Sequence, residues 1–289
     1  MKKCLFVGLI IVCSFGQMYC QSVDAESYYT PENVLRFADY LKEQKEFLAA
    51  ATEYKRYLLL NPEANDSLRL LIGKCYLMTD RNDLAVKYFR SSQSALINQQ
   101  NESEVLLLQS YAHFMEKNYD TCNQLLQNRL RDFVSKEQKQ QREFLLAASS
   151  IVSKQEYETF LHAGKDTTLL MLSLQTLVTE QRKNSKDKSP LVAAGLSALI
   201  PGSGKIYGGQ TIDGLFSFVS IALTGWQAYE GFSKDGSSSV KGWLVGSLAA
   251  TFYIGNIYGS AVNIQLQNRT REKMFEDDVR ALVKASFHF

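Results

Sequence analysis

The fold is decided by residues 34–62, which read VLRFADYLKEQKEFLAAATEYKRYLLLNP. Apolar residues recur there at helical spacing over 34–41 and again over 47–58. This periodicity predicts two successive amphipathic helices. The second helix is predicted to end at Asn61, because Pro62 disfavours the helical conformation in the residue before it.

A second pair of helices is predicted at the same spacing. Gly73 lies 35 residues after Ala38, and Ala85 and Phe89 follow it beyond a short polar turn at 79–82. A weaker third copy has Ser110, Cys122 and Leu126 at the corresponding places. Such a period is typical of stacked helical units, because no single unit can bury its apolar face alone.

The pattern resembles the tetratricopeptide repeat, whose two helices meet through small residues and whose second helix carries a large aromatic residue four positions later. The matching residues are Ala38, Ala50, Tyr54 and Pro62 in the first unit, Gly73, Tyr76, Ala85 and Phe89 in the second, and Cys122 in the third. The tryptophan expected early in the first helix is absent, and Val34 replaces it in the first unit. The resemblance implies that these residues form a core, and that the concave surface of a solenoid binds peptides or partner proteins.

The N-terminus has the pattern of an export signal. Lys2 and Lys3 form a basic segment, and the apolar stretch 4–16 follows it. That stretch is too short for an ordinary membrane-spanning helix. We predict a signal peptide over 1–20 with cleavage after Cys20. Lipidation of Cys20 and retention of the segment as an uncleaved anchor are the alternatives.

A change in composition marks the second half of the chain. Residues 21–180 are assigned to the repeat domain, and residues 181–188 form a basic linker. The linker is either a solvated connector or a patch that contacts anionic lipid. Beyond it, charged residues are absent from 189–204, from 214–229 and from 242–268.

The last two charge-free runs predict a pair of transmembrane helices in a domain at 189–268, followed by a tail at 269–289. The final run is long enough to cross a bilayer, and the run at 214–229 is extended by the interfacial residues Trp226 and Tyr229. The predicted fold is therefore all-α: a TPR-like helical-repeat solenoid plus a C-terminal transmembrane helical hairpin. A buried hairpin in a soluble domain is the alternative.

Residues 198–209 read ALIPGSGKIYGG, and their Gly-Ser-Gly-Lys sequence invites comparison with a phosphate-binding loop. That motif requires glycine where Leu199 stands and Ser or Thr where Ile206 stands, so we predict no nucleotide site. The stretch instead resembles small bacterial membrane domains with two transmembrane helices and a Pro-Gly-x-Gly-x-x-Tyr-x-Gly signature. The signature residues are Pro201, Gly202, Gly204, Tyr207 and Gly209. This resemblance implies residence in a membrane.

Patterns of catalytic and metal-binding residues are not found in the sequence. His113, His162 and His288 are far apart, and neither a nucleophile elbow nor a metalloprotease helix is present. We therefore expect no enzyme activity, no cofactor and no metal. The net charge of +2 is too small to favour nucleic acid as a partner.

Two cysteines, Cys75 and Cys122, remain after cleavage of the signal. Both lie in helical patterns at positions that favour small buried side chains, so buried thiols are expected. A disulfide between them is the alternative in an oxidising compartment.

Two sequence features disagree about topology. Export places the repeat domain outside the cytoplasm, whereas the basic clusters at 182–188 and 269–273 favour cytoplasmic flanks for the hairpin. We expect the export signal to dominate, which gives an envelope protein with a periplasmic repeat domain.

The sequence thus predicts a membrane-anchored envelope scaffold. Its TPR-like groove is expected to bind a protein or peptide partner, and its hairpin to contact membrane lipid and to support a homo-oligomer. The alternative is a membrane-active hairpin, with a role in membrane-protein insertion or assembly or in lipid handling, that the repeats regulate.

Overall fold

The computed structural model describes residues 29–61, 66–92, 99–129, 135–153, 169–184 and 188–287. These residues form twelve α-helices and no strand, which confirms the all-α class. Four predicted features lie outside the described residues: the signal peptide at 1–20, Pro62, linker residues 185–187 and the chain end at 288–289.

The helices are, in chain order, α1 (Pro31–Glu43), α2 (Phe47–Leu60), α3 (Asp66–Met78), α4 (Asn82–Ser92), α5 (Gln99–Met115), α6 (Tyr119–Gln124), α7 (Lys136–Val152), α8 (Leu169–Asn184), α9 (Pro190–Leu199), α10 (Ser203–Tyr207), α11 (Thr211–Asp235) and α12 (Val240–Ser286). A π turn, Leu125–Arg129, follows α6, and a 3-10 turn, Gly236–Ser238, joins α11 to α12. The chain divides into two compact units, the first ending at Arg142 and the second beginning at Glu143. The division therefore falls within α7, whereas the sequence placed a linker at 181–188.

The first unit contains three helix pairs whose connecting turns are equivalent. The middle residue of each turn has a positive φ, which is 63° at Lys45, 57° at Asp80 and 63° at Lys117. In each turn, two consecutive N–H groups donate back to carbonyl groups of the preceding helix. After α1, for example, the N–H of Lys45 donates to the carbonyl of Lys42, and the N–H of Glu46 donates to the carbonyl of Leu41. This is the Schellman closure of a helix C-terminus, formed three times.

The buried residues of the first unit lie at fixed distances from those three turns. Small residues precede each turn by seven positions and follow it by five, and a large residue follows it by nine. The three sets are Ala38, Ala50 and Tyr54; Gly73, Ala85 and Phe89; and Ser110, Cys122 and Leu126, all of them buried. The helix pairs contact one another in order along the chain, through α2 with α3 and α4 with α5.

The second unit is organised around the long helix α12. Helices α8, α9 and α11 pack against it, and the short helix α10 contacts α9, α11 and α12. Residues 269–286, which we predicted as a separate tail, continue α12 without a break and bury Val279 and Val283. A helical hairpin of α11 and α12 is thus present.

The sequence also predicts that this hairpin crosses a membrane. Within the described ranges, no helix combines the length and the apolarity that a bilayer-spanning helix needs. The prediction of a transmembrane hairpin rested on the absence of charge from 214–229 and 242–268. Those runs also contain many Gly, Ser, Thr, Asn and Gln residues, which lower their apolarity without adding charge.

Candidate functional site

The signature loop, residues 200–210, connects α9 to α11 and encloses α10. Ile200 is extended, with φ −131° and ψ 110°, as expected before a proline, and Pro201 thereby ends α9. Gly202 follows with φ +85°, a left-handed conformation that glycine adopts without steric cost. The loop thus reverses the chain within a few residues.

The amide groups of four consecutive loop residues, 203–206, are used inside the protein. The N–H of Ser203 donates to the carbonyl of Ile200, and those of Lys205 and Ile206 donate to the carbonyl of Gly202. The N–H of Gly204 donates to Ser197 Oγ at 3.0 Å. A phosphate-binding loop needs such amides to point at the ligand, so this backbone does not form a phosphate cradle.

A buried chain of hydroxyl groups holds the loop against α9 and α12. Ser197 Oγ lies 2.7 Å from Ser260 Oγ, and Ser260 Oγ donates to the carbonyl of Asn256 at 2.8 Å. A β carbon on Gly204 would lie 2.0 Å from the carbonyl oxygen of Ala193. Glycine at this position therefore allows the close approach that the hydrogen bond to Ser197 requires.

Tyr207 holds the start of α9, and Gly209 ends α10. The hydroxyl of Tyr207 accepts a hydrogen bond from the N–H of Ser189 at 3.3 Å, and Lys188 Nζ lies 5.8 Å from the centre of the Tyr207 ring. Gly209 has φ +91° and ends α10. The signature residues thus make structural contacts around α9, α10 and α11, with Tyr207 and Gly204 hydrogen-bonded to the α9 region and Gly202 packed on Gly214.

A cleft of about 460 Å³ lies beside the loop, between α11 and α12. Its lining residues are Lys205, Phe216, Ser217, Ser220, Ile221, Thr251, Phe252, Gly255 and Asn256. The volume falls in the range of about 300–1,000 Å³ that is typical of small-molecule sites. The cleft opens at the surface, because Phe216 is 75% exposed and Phe252 is 43% exposed.

Lys205 supplies a positive charge to the cleft. Its Nζ donates to Ser217 Oγ at 2.8 Å, and Ser217 Oγ in turn donates to the carbonyl of Asp213. Across the described part of the chain, no carboxylate forms an ion pair with Lys205. An ammonium group has three donors, so two of them are left for other acceptors.

Asn256 supplies a buried amide. The residue is only 5% exposed, and neither Oδ1 nor Nδ2 has a hydrogen-bond partner among the described residues. Leaving buried polar groups unpaired costs about 1–3 kcal/mol each. A group with this cost beside a cleft marks a position where a polar ligand atom is favoured.

The hairpin of α11 and α12 has an inverted distribution of side chains. The residues that α11 buries are Gly214, Ala228 and Gly231, and a β carbon on Gly231 would lie 2.8 Å from the backbone nitrogen of Gly242. The large apolar side chains point outward instead. Those more than half exposed are Ile212, Leu215, Phe216, Leu223, Trp226 and Tyr229 on α11, and Val240, Trp243, Leu244, Ile254, Tyr258, Leu266 and Met274 on α12.

In the repeat unit, the candidate residues lie in the core. Tyr54 is buried, and its hydroxyl donates to Asp39 Oδ1 at 2.5 Å. Tyr76 is buried beside Tyr88, with 5.6 Å between the ring centres. Cys75 and Cys122 are buried thiols that no disulfide joins, and burial raises the pKa of Cys75 to about 11. These residues pack between the helices of the first unit and form no surface site.

His113 is a buried polar residue at a core position. It stands four residues before its turn, as Leu41 and Tyr76 do before theirs, and both of its ring nitrogens are without a hydrogen-bond partner in the described part of the chain. Its Nδ1 lies 3.9 Å from Glu116 Oε2. Burial, and secondly the charge of Arg90, lower the pKa of His113, so the neutral imidazole is favoured.

Three residues of the cleft, Lys205, Ser217 and Asn256, are not predicted from the sequence as site residues. The sequence does not single out Asn256, because the charge-free run 242–268 contains four further amide side chains, at Asn263, Gln265, Gln267 and Asn268. The contact between Lys205 and Ser217 carries no sequence signal, since it depends on how the loop folds back onto α11.

Three comparisons with known proteins complete the description of the site. No protein-family model, no curated protein and no solved structure matches the chain.

Proposed function

We propose that the chain is a membrane-held adaptor of the cell envelope. In this proposal the second unit lies against lipid, and the first unit binds an apolar segment of a partner protein. The observation that carries the proposal is the inverted hairpin, in which α11 buries glycine and alanine while both helices expose large apolar side chains. In lipid this arrangement is the favoured one, because small residues let helix backbones approach closely while large residues meet acyl chains.

The tip of the hairpin supports an interfacial position. Glu230 Oε1 lies 2.7 Å from Lys234 Nζ, and Glu230 Oε2 lies 3.3 Å from Lys241 Nζ. Trp226 is 69% exposed beside these charges, and Trp243 Nε1 donates to the carbonyl of Ser237 at 3.0 Å. Tryptophan is enriched where headgroups meet acyl chains, and the charged groups then face water.

The three equivalent turns of the first unit support its interpretation as a stack of repeats. On α1, the rings of Phe37 and Tyr40 are stacked at 6.5 Å and are half exposed. Exposed aromatic pairs of this kind are typical anchors for apolar side chains of a partner. We propose this pair as part of the partner-binding surface.

Vesicle flotation tests the membrane contact. The full chain is mixed with vesicles of phosphatidylethanolamine and phosphatidylglycerol and is expected to float with them. The double variant Leu215→Glu, Leu244→Glu is expected to remain at the bottom of the gradient. The matched control is Leu59→Glu, since Leu59 is 82% exposed but lies in the first unit. Equal loss of flotation in the control, or no flotation of the unaltered chain, rejects the proposal.

Proximity cross-linking tests the adaptor role. The full chain is cross-linked in cells, and the bound proteins are compared with those of the variant Phe37→Ala, Tyr40→Ala. A partner that is lost from this variant but retained by Leu59→Ala supports the proposed surface. Identical profiles for the three proteins contradict it.

The location is tested with two reporters, each fused after Lys183. One is active only outside the cytoplasm, and the other is active only inside. We propose that the external reporter is active, because the N-terminal sequence has the pattern of an export signal. Activity of the internal reporter alone overturns the envelope location.

A second candidate function makes the hairpin the working part, with a role in membrane assembly or lipid handling that the repeats regulate. The observation that favours it is the cation Lys205 beside an open cleft. A partner whose capture requires an intact hairpin but does not require the side chains of Phe37 and Tyr40 distinguishes this function from the adaptor.

A further inference from the structure

We propose that the cleft between α11 and α12 binds a single-chain amphiphile with an anionic headgroup. The inference goes beyond the adaptor function and does not depend on what the first unit binds. It rests on three features that meet in one cleft: the cation Lys205, the unpartnered buried amide of Asn256, and apolar walls that open at the surface.

The headgroup end is defined by donors. Lys205 Nζ donates to Ser217 Oγ at 2.8 Å, and its remaining protons require acceptors. Asn256 lines the same cleft, and its amide group is buried without a hydrogen-bond partner among the described residues. A carboxylate or a phosphate monoester accepts hydrogen bonds from both groups and neutralises the lysine, so the shared chemistry is a compact oxyanion.

The chain end is defined by apolar walls. Phe216, Ile221 and Phe252 line the cleft, and a β carbon on Gly255 would meet no atom within 4 Å. Since Phe216 and Phe252 are also exposed, an aliphatic chain can leave the cleft along the apolar surface of the hairpin. A free inorganic anion meets the same hydrogen-bond donors but gains nothing from these walls.

Two other ligand classes fit less well. A nucleotide requires backbone amides directed at its phosphates, whereas the amides of the signature loop donate to Ile200, Ser197 and Gly202. An amphiphile with a cationic headgroup is repelled by Lys205, which forms no ion pair with a carboxylate anywhere in the described ranges.

The test is a titration of the full chain, kept at a constant concentration of a maltoside detergent, with four probes below their micelle concentrations. The probes are dodecanoate, dodecyl phosphate, dodecanol and inorganic phosphate. Calorimetry is expected to show saturable binding of both anionic amphiphiles, weaker binding of dodecanol and none of inorganic phosphate. Binding of inorganic phosphate as tightly as dodecyl phosphate overturns the amphiphile assignment.

Two pairs of variants locate the site. Lys205→Gln is expected to weaken dodecanoate binding by about tenfold or more, the loss of one charge-assisted hydrogen bond, and to leave dodecanol binding unchanged. Its control is Lys241→Gln, because Lys241 pairs with Glu230 at the tip. Gly255→Leu is expected to abolish binding of all three chain-bearing probes. Its control, Gly259→Leu, lies one turn further along α12, where a β carbon also meets no atom within 4 Å.

The outcomes separate this inference from the proposed function. Equal effects of Gly255→Leu and Gly259→Leu, or no saturable binding by the unaltered chain, overturn the amphiphile site. If Gly255→Leu instead dissociates a dimer in analytical ultracentrifugation, a second copy fills the cleft and the inference is wrong. Vesicle flotation is measured on the same variants. Retained flotation with lost dodecanoate binding shows that the membrane contact and the cleft are distinct.

Discussion

Gly202 and Gly214 lie backbone against backbone, so closely that a β carbon on Gly202 would lie 1.9 Å from the carbonyl oxygen of Gly214. The relationship is reciprocal, because a β carbon on Gly214 would lie 2.6 Å from the carbonyl oxygen of Gly202. The signature loop is thereby pressed onto the first turn of α11. The cleft depends on this contact, since Lys205 and Ser217 are placed by the same two segments.

We therefore expect Gly202→Ala to destabilise the second unit. The left-handed conformation costs alanine about 1–2 kcal/mol, and overpacking adds about 1–3 kcal/mol. Urea unfolding of the full chain, followed by circular dichroism, measures the loss. The control is Gly195→Ala in α9, where a β carbon meets no atom within 4 Å and the change is expected to stabilise the helix by up to about 1 kcal/mol. Equal effects of the two changes contradict the contact.

The second prediction concerns the close contact between Gly73 and Phe89 in the core of the repeat unit. A β carbon on Gly73 would lie 2.3 Å from Cε1 of the Phe89 ring, and Phe89 is fully buried. We expect Gly73→Ala to cost about 1–3 kcal/mol. The added change Phe89→Leu is expected to recover part of this loss, because the pair Ser110 and Leu126 occupies the equivalent places in the third helix pair.

A double-mutant cycle over Gly73→Ala and Phe89→Leu checks that prediction. Direct contact requires an interaction free energy of at least about 0.5 kcal/mol, in the direction of rescue. Additive effects of the two substitutions reject it. Gly225→Ala, at an exposed position in α11 with no atom within 4 Å of the added carbon, gives the baseline for an unhindered change.

The repeat core could be predicted from sequence because its residues recur at a fixed period. Ala38, Gly73 and Ser110 share one position of the helix pair, and each is small for the same reason, which is the close approach of two helices. The turns could not be predicted so well. Lys45 has no feature that distinguishes it from its neighbours, yet it alone in its turn takes a left-handed conformation.

The second unit could be predicted less well for two physical reasons. The absence of charge from 242–268 predicts a transmembrane run, but Gly, Ser and Asn residues dilute its apolarity. Lys205 and Asn256 line the same cleft although 51 residues of chain separate them, and no periodicity or motif connects two positions that come together only when α10, α11 and α12 pack.

The turn after α1 makes a third prediction. Lys45 has φ 63°, so we expect Lys45→Gly to stabilise the first unit by about 0.5–1 kcal/mol, because glycine removes the cost of the left-handed conformation. Arg36→Gly, at an exposed position inside α1, is expected to destabilise by about 1 kcal/mol. Denaturant midpoints of the two variants measure both changes. Destabilisation by Lys45→Gly shows that the turn does not need this conformation.

The buried imidazole of His113 leads us to predict how the stability of the first unit depends on pH. Burial lowers its pKa below the ordinary value of 6.5, so the unfolded chain binds a proton more readily than the folded one. Stability contributed by the neutral imidazole is therefore present above about pH 6.5 and falls as the pH drops toward the lower folded value. Glu116, which faces the ring, has a pKa raised by burial and secondly by Asp83. The contribution of Glu116 to stability therefore has the opposite sign to that of His113: it decreases as the pH rises from the ordinary carboxyl pKa towards the raised folded value.

We expect His113→Leu to remove most of the loss of stability between pH 7 and pH 5, because Leu41 already fills the equivalent position of the first helix pair without an ionisable group. Urea midpoints of the full chain and of His113→Leu, measured at pH 7, 6 and 5, test this. Glu116→Gln separates the second group: it should leave the fall between pH 7 and pH 6 unchanged, since Glu116 is not the residue that gains a proton on unfolding. An equally steep fall in His113→Leu would assign the pH dependence to other groups.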